Sequence, residues 1–262
     1  MTRWKAAAVH LGISVLLIGS IVIAIFVLWF PYGLFRVAGL NQLLLTMICV
    51  DVVAGPLLTC LVYKVGKPSL KFDLSVIALL QAGFLGYALH TAWISRPVFL
   101  MWAFDHMSLV FANEIEPEDL AKGKTPQTRS LSWTGPRLVA MVLPKDSAEK
   151  SKIFTAMIRS GTSVERLPMY YATYPSARAA ILRQARTVAA WQAAKQGAGP
   201  GLAAAIESTG LPRQRVRVVP IESSRDASVM LIDAVTAQPL LVVEPPKALP
   251  DAAGGPADQK TR

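Results

Sequence analysis

One acid, Asp51, interrupts an otherwise uncharged apolar run, "LNQLLLTMICVDVVAGPLLTCLVY", and stands four residues before Gly55 and five before Pro56. A carboxyl group in such a setting is costly unless it is hydrogen-bonded or lines a polar path, and a Gly-Pro pair frees backbone groups and bends a helix. Two chemistries are therefore open to it: an ion or proton path, or hydrogen bonding that fixes helix packing or docks a partner. The neighbouring apolar runs hold no basic residue to pair with it, which favours packing or docking. Gln81, Gly83 and Gly86 occupy a second such run. Glycines permit close helix approach and a glutamine bonds across a helix interface, so this set serves either packing within the chain or reception of a helix from another protein.

Catalytic patterns are thin. His10, His90 and His106 are dispersed, and Asp105 and His106, if extended, point to opposite sides. Cys49 and Cys60 lie 11 positions apart in one apolar run, about three helical turns, too far for a disulfide within one helix. No phosphate-binding loop, nucleophile elbow or metal-ligand spacing is present. The expectation is a non-enzymatic protein without cofactor or metal.

The elements that must position these residues begin with hydropathy. Over 262 residues the mean hydropathy is +0.40, with 53% hydrophobic and 17% charged residues, too apolar for an ordinary water-soluble chain. From Ala6 to Phe35 there is no charge, and "LGISVLLIGSIVIAIFVLWF" is long enough to cross a bilayer. Its length, and the lack of a small-residue cleavage pattern in "WFPYGLFR", predict a retained span rather than a cleaved signal. Leu40–Tyr63 is a second span and Leu74–Ile94 a third.

Arg3, Lys5, Lys64, Lys67 and Lys71 flank one side of these spans, against Arg36 and Arg96 on the other. Because basic residues stay on the cytoplasmic side, the N-terminus and the 64–71 loop are expected in the cytoplasm and the rest of the chain in the periplasm. The net charge of +10 is scattered rather than clustered, which points to phospholipid headgroups or an acidic partner face and not to nucleic acid.

Beyond the spans, "RPVFLMWAFDHM" is apolar on both faces and reads as a central strand, a bent strand pair or a membrane-adjacent helix. Arg96 is expected at the membrane exit, its charge reaching headgroups. "GPRLVAMVLP" reads as a strand and "SAEKSKIFTAMIRSG" as a helix with Ile153, Met157 and Ile158 on one face. One longer helix is expected after Pro175, from Ser176 to Lys195, with Ile181, Ala185, Val188 and Trp191 at helical spacing, ended by "GAGPG". "RVRVVPI", "ASVMLIDA" and "PLLVVE" read as three strands. The expected fold is an α-helical membrane bundle of three transmembrane helices (1–95), a small α+β periplasmic domain (96–244) and a disordered C-terminal tail (245–262).

"DVVAGPLLT", "GKPSLKFDLSVIALLQAGFLGYAL", "SRPVFLMWAFDHMSLV" and "WTGPRLVAMVLP", in this order, resemble the type IV pilin accessory protein family, TfpX/TfpZ or FimB-like, most firmly over residues 40–145. The resemblance implies an inner-membrane, non-enzymatic factor for type IV pilus assembly that acts with the major pilin and other pilus assembly proteins. It places Asp51, Gly55, Pro56, Lys71, Asp73, Leu74, Gln81, Arg96, Pro97 and Asp105 at positions of the family pattern, as structural or pilin-contact residues. His106 departs from the more basic character expected beside Asp105. The alternative class is a small membrane transporter or channel component with Asp51 in a polar path.

Overall fold

A computed structural model describes residues 2–144, 146–161, 163–194 and 201–243. The first helix, α1 (Arg3–Trp29), is capped by Thr2, whose side chain accepts from the Lys5 amide, and runs uninterrupted for 27 residues. The second apolar run is a composite of α2 (Asn41–Met47), a π-helical turn (Ile48–Ala54) and α3 (Gly55–Val62). Pro56 explains the wide turn. Its ring would press on the carbonyl four residues back in a regular helix, and the backbone widens so that the Gly55 amide donates to Val50 instead.

The third helix, α4 (Leu70–Ile94), starts earlier than its hydropathy suggests. Lys71 and Asp73 therefore belong to its first turn, not to the preceding loop. Asp73 accepts from the Ser69 hydroxyl at 3.0 Å and pairs with Lys67 at 2.7 Å, an acid where a helix start favours one. These three helical stretches are each long and apolar enough to cross a membrane. Ile18 of α1, Met47 of α2 and Ala88 of α4 form their common core, while Leu16, Leu61 and Leu79 face outward. An apolar exterior of this kind suits lipid.

The rest is a mixed α+β unit. Its sheet contains β1 (Pro97–Ala103), β2 (His106–Phe111), β3 (Arg137–Met141), β4 (Tyr171–Thr173), β5 (Arg186–Thr187), β6 (Val216–Ser223), β7 (Ala227–Asp233) and β8 (Pro239–Val243). The order is β4-β3-β1-β2-β6-β7-β8, with β5 also paired to β6. β1 pairs antiparallel with β2 and parallel with β3, and β2 pairs parallel with β6.

Alternation explains why "PVFLMWA" is apolar throughout: all seven residues of β1 are buried. Leu100 and Trp102 join Met107, Leu109, Ile221, Met230 and Ile232 on one face, whereas Phe99, Met101 and Ala103 join Val110, Val139 and Tyr171 on the other. The strand reading of this stretch holds, and the membrane-adjacent helix is excluded.

The connection between the first two spans enters the same core. After α1 the chain turns through Tyr32 and Gly33, both with positive φ, into a short 3-10 segment, Pro31–Arg36. Phe30, Leu34, Val37, Ala38 and Leu40 are buried in the cluster built on Leu100, Trp102 and Ile221. Arg36 Nη1 donates to the Val242 carbonyl at 2.7 Å and Arg225 Nη1 to the Ala38 carbonyl at 2.9 Å.

Short helices complete the unit: α5 (Pro117–Ala121), α6 (Ser147–Ser160), α7 (Arg178–Gln184), α8 (Val188–Ala194) and α9 (Gly201–Ser208). The single helix expected over 176–195 is instead a 3-10 turn, α7, the two-residue strand β5, and α8. The break lets Ile181 face one core cluster while Val188 and Trp191 pack into another with Leu202, Ile206 and Leu231. Trp191 is thus a core residue. Lys195, most of "GAGPG" and the 245–262 tail lie outside the described residues, as do the side chains of Met157 and Ile158.

Candidate functional site

The residues singled out in the sequence fall in four separate places. About 30 Å of helix, from the rise of α4, separates Asp73 from the far end of that helix. Lys71, exposed, and Asp73, paired with Lys67, occupy its first turn, with Leu74 following.

Arg96 and Pro97 lie at the opposite end. Pro97 opens β1, where a missing amide is tolerated, and pairs with Phe111. Arg96 does not extend toward headgroups: it is 5% exposed, its Nε donates to the Ser132 carbonyl at 2.9 Å, and Nη1 to the Trp93 carbonyl at 2.7 Å. Its guanidinium stacks 3.7 Å from the centre of the Trp93 ring. Trp93 in turn packs on Trp29 and Trp133, and Trp29 Nε1 donates to the Trp133 carbonyl at 2.9 Å. The arginine fastens the end of α4 to the loop before β3.

Asp105 sits exposed in the β1–β2 turn, where Phe104 has positive φ. The turn brings its Oδ1 to 3.1 Å from His106 Nδ1, so the two side chains meet rather than diverge. Extended geometry does not apply across a tight turn, which is why the alternation argument misplaces this pair.

Asp51, Gly55, Pro56 and Gln81 do converge. Asp51, Gly55 and Thr59 recur every fourth residue and are buried with Pro56 on the inner face of the second span. Gln81 of α4 reaches this turn and its Nε2 donates to the Asp51 backbone carbonyl at 3.1 Å. A Cβ on Gly55 would stand 2.0 Å from that same nitrogen, so glycine here makes room for the interhelical bond. Gly83 and Gly86 differ: a Cβ on either meets nothing within 4 Å, and they do not pack within the bundle.

Asp51 is 4% exposed, and its Oδ2 is buried with no hydrogen-bond partner among the described residues. It lines a cleft of about 290 Å³ between the second span and α4, whose walls include Met47, Val50, Phe84 and Tyr87. Thr46 is the other polar contributor from the second span, and no basic or further acidic residue lines the cleft.

Sequence reasoning passed over two features. His10 of α1 approaches Thr59, with Nδ1 2.6 Å from Oγ1, a contact 49 residues apart that no local spacing signals. A polar depression of about 180 Å³ also lies on the sheet beside His106, Ser108, Glu165 and Glu222, where Arg166 pairs with Glu114 at 3.2 Å. Among the described residues no group of His, Cys, Asp and Glu converges as a metal site.

Comparison with known proteins gives a consistent set of distant relatives. The chain is 22% identical over 231 residues to the fimbrial assembly protein of serogroup E1 of Dichelobacter nodosus, covering 87% of this chain and 89% of that protein. It is 24% identical over 187 residues to the serogroup I protein, covering 71% and 72% of the two chains. For the fimbrial assembly protein of serogroups C1 and C2 it is 24% identical over 118 residues, covering 44% of this chain and 90% of that one. No protein-family profile and no solved structure matches the chain.

Proposed function

We propose that this chain is an accessory factor for type IV pilus assembly, TfpX/TfpZ or FimB-like, embedded in the bacterial inner membrane. In this reading it binds or stabilises the major pilin and modulates its incorporation, and it works without catalysis or cofactor. The observation that carries the reading is the likeness to the serogroup E1 fimbrial assembly protein, which extends over 87% of this chain and so takes in both the apolar helices and the sheet.

Charge supports the orientation. Arg3, Lys5, Lys64 and Lys67 lie near the span ends on one side, with Lys71 in the first turn of α4. On the other side Arg36 and Arg96 are both engaged by backbone carbonyls of the protein. The proposed topology has a cytoplasmic N-terminus and a periplasmic sheet domain. A partner anchored in the same bilayer with its bulk outside would meet both parts at once, with lipid filling the remaining surface.

The test is deletion of the gene, complementation by this chain, and separate measurement of surface pili and total pilin. Surface pili are expected to fall several-fold and to return on complementation. Unchanged surface pili and unchanged pilin level would overturn the reading. A polar path through Asp51 would instead show as an Asp51-dependent flux with normal piliation.

A further inference from the structure

We infer that the cleft beside Asp51 receives a transmembrane helix of another protein, and that this helix brings a hydrogen-bond donor to the Asp51 carboxyl group. Depth is the first argument. Asp51 lies near the middle of the Leu43–Val62 span, about 12 Å of helix from one end and about 16 Å from the other. At that level acyl chains offer no donor, and a buried acceptor left without one is costly.

The second argument is that no donor of the chain reaches the Asp51 Oδ2 oxygen among the described residues. Gln81 comes to the same turn, but its Nε2 donates to the Asp51 backbone carbonyl and not to the side chain, and Oδ2 has no partner among the described residues. The third is shape. The cleft is bounded by apolar walls from two helices, Met47 and Val50 on one side and Phe84 and Tyr87 on the other. One helical turn from Tyr87, Gly83 leaves open space where a side chain would stand, which allows a backbone to come close. A groove of this form fits an apolar helix bearing a Ser, Thr, Asn, Gln, Lys or Trp side chain, or a free amine, at mid-membrane depth.

This inference rests on the pilus-assembly reading only for the identity of the partner; the cleft and its unpaired oxygen stand without it. The test places photoreactive benzoylphenylalanine at Tyr87, which is 70% exposed at the cleft mouth, in the full chain within native membranes. Leu16, outward-facing on α1, serves as the control position. The expected result is one adduct from position 87, absent from position 16, that maps to an apolar segment of about 20 residues carrying a donor within one turn of the crosslink. Asp51→Leu is expected to reduce that adduct at least tenfold.

Labelling of lipid alone, of a second copy of this chain, or of a protein whose yield ignores Asp51→Leu overturns the inference. Should Asp51→Leu fail to accumulate, the mapped adduct decides: a segment lacking a donor at that depth overturns the inference and a donor-bearing one supports it. An Asp51-dependent adduct with a single-span protein unrelated to pili would keep the cleft and defeat the pilus reading. Pili that depend on the chain while position 87 labels only lipid would do the reverse.

Discussion

At Gly55 two opposing effects are separable. Alanine in place of glycine within a helix is ordinarily stabilising by roughly 0.5–1 kcal/mol. Here the added methyl would meet Gln81 and displace its amide from the Asp51 carbonyl. An interhelical hydrogen bond of this kind in a membrane is worth about 0.6–1.7 kcal/mol. Gly55→Ala is therefore expected to destabilise by about 1 kcal/mol once crowding is added, and to become stabilising in a Gln81→Ala background. Unfolding of the four chains in detergent, treated as a double-mutant cycle, checks this; the same sign in both backgrounds would remove the proposed contact. A second residue-level prediction concerns pH. The Arg215 guanidinium, 2.9 Å from Asp233, holds that carboxyl down at about 2, with the Val235 amide adding to the effect. A depressed carboxyl pKa gives stability that is present above the unfolded value and lost as pH falls toward the folded one. Because Arg215 is partly exposed, solvent reduces the gain to about 1–2 kcal/mol. Wild type should exceed Asp233→Asn by that amount at pH 6 and lose the advantage between about pH 4 and pH 2. A difference independent of pH would assign the effect to packing.

Periodicity and charge revealed most of the elements, and the exceptions have identifiable physical causes. The three apolar helices and the strands β1, β3, β6, β7 and β8 are each visible as local runs. The stretch from Ser176 to Lys195 misleads because Ile181, Val188 and Trp191 keep nearly helical spacing across a break. Their burial is real, but it occurs in two different clusters. A local signal for the break exists in Thr187, which caps α8 by accepting from the Ala190 amide at 3.1 Å. Thr187→Ala should cost about 1 kcal/mol. It should also increase hydrogen exchange at Ala190 and Trp191 while leaving α7 unchanged; equal loosening of both helices would mean that they act as one element. The candidate site divides in the same way. Asp51 and the Gly55-Pro56 pair are conspicuous in a linear reading, whereas the partnership with Gln81 is a contact between helices that no spacing encodes. Arg96 was visible as a charge at a span end, but its burial against Trp93 and Ser132 depends on a loop 36 residues away.

The helices and the sheet are joined by more than the chain leaving α4. Phe30, Leu34, Val37 and Leu40, from the connection between the first two spans, are all buried in the sheet's inner cluster. At roughly 1.5–3 kcal/mol for each large apolar side chain removed from water, these four contribute on the order of 6–12 kcal/mol. That is comparable with the whole stability of an ordinary domain, about 5–15 kcal/mol. Ser223 Oγ donates to Val37 O at 2.6 Å, and on either side of it the same connection is fastened by Arg36 donating to Val242 O and by Arg225 donating to Ala38 O. A fragment starting at Ser95 should consequently fail to fold alone, even though it contains every strand. Supplying residues 30–40 through a flexible linker should restore a cooperative melt and dispersed amide resonances. If the fragment without that segment melts cooperatively within a few degrees of the fragment carrying it, the connection is peripheral and the sheet is independent of the helices. If it does not, a displacement of the sheet is delivered directly to the end of α1 and to the start of α2, the helix that leads into the turn carrying Asp51.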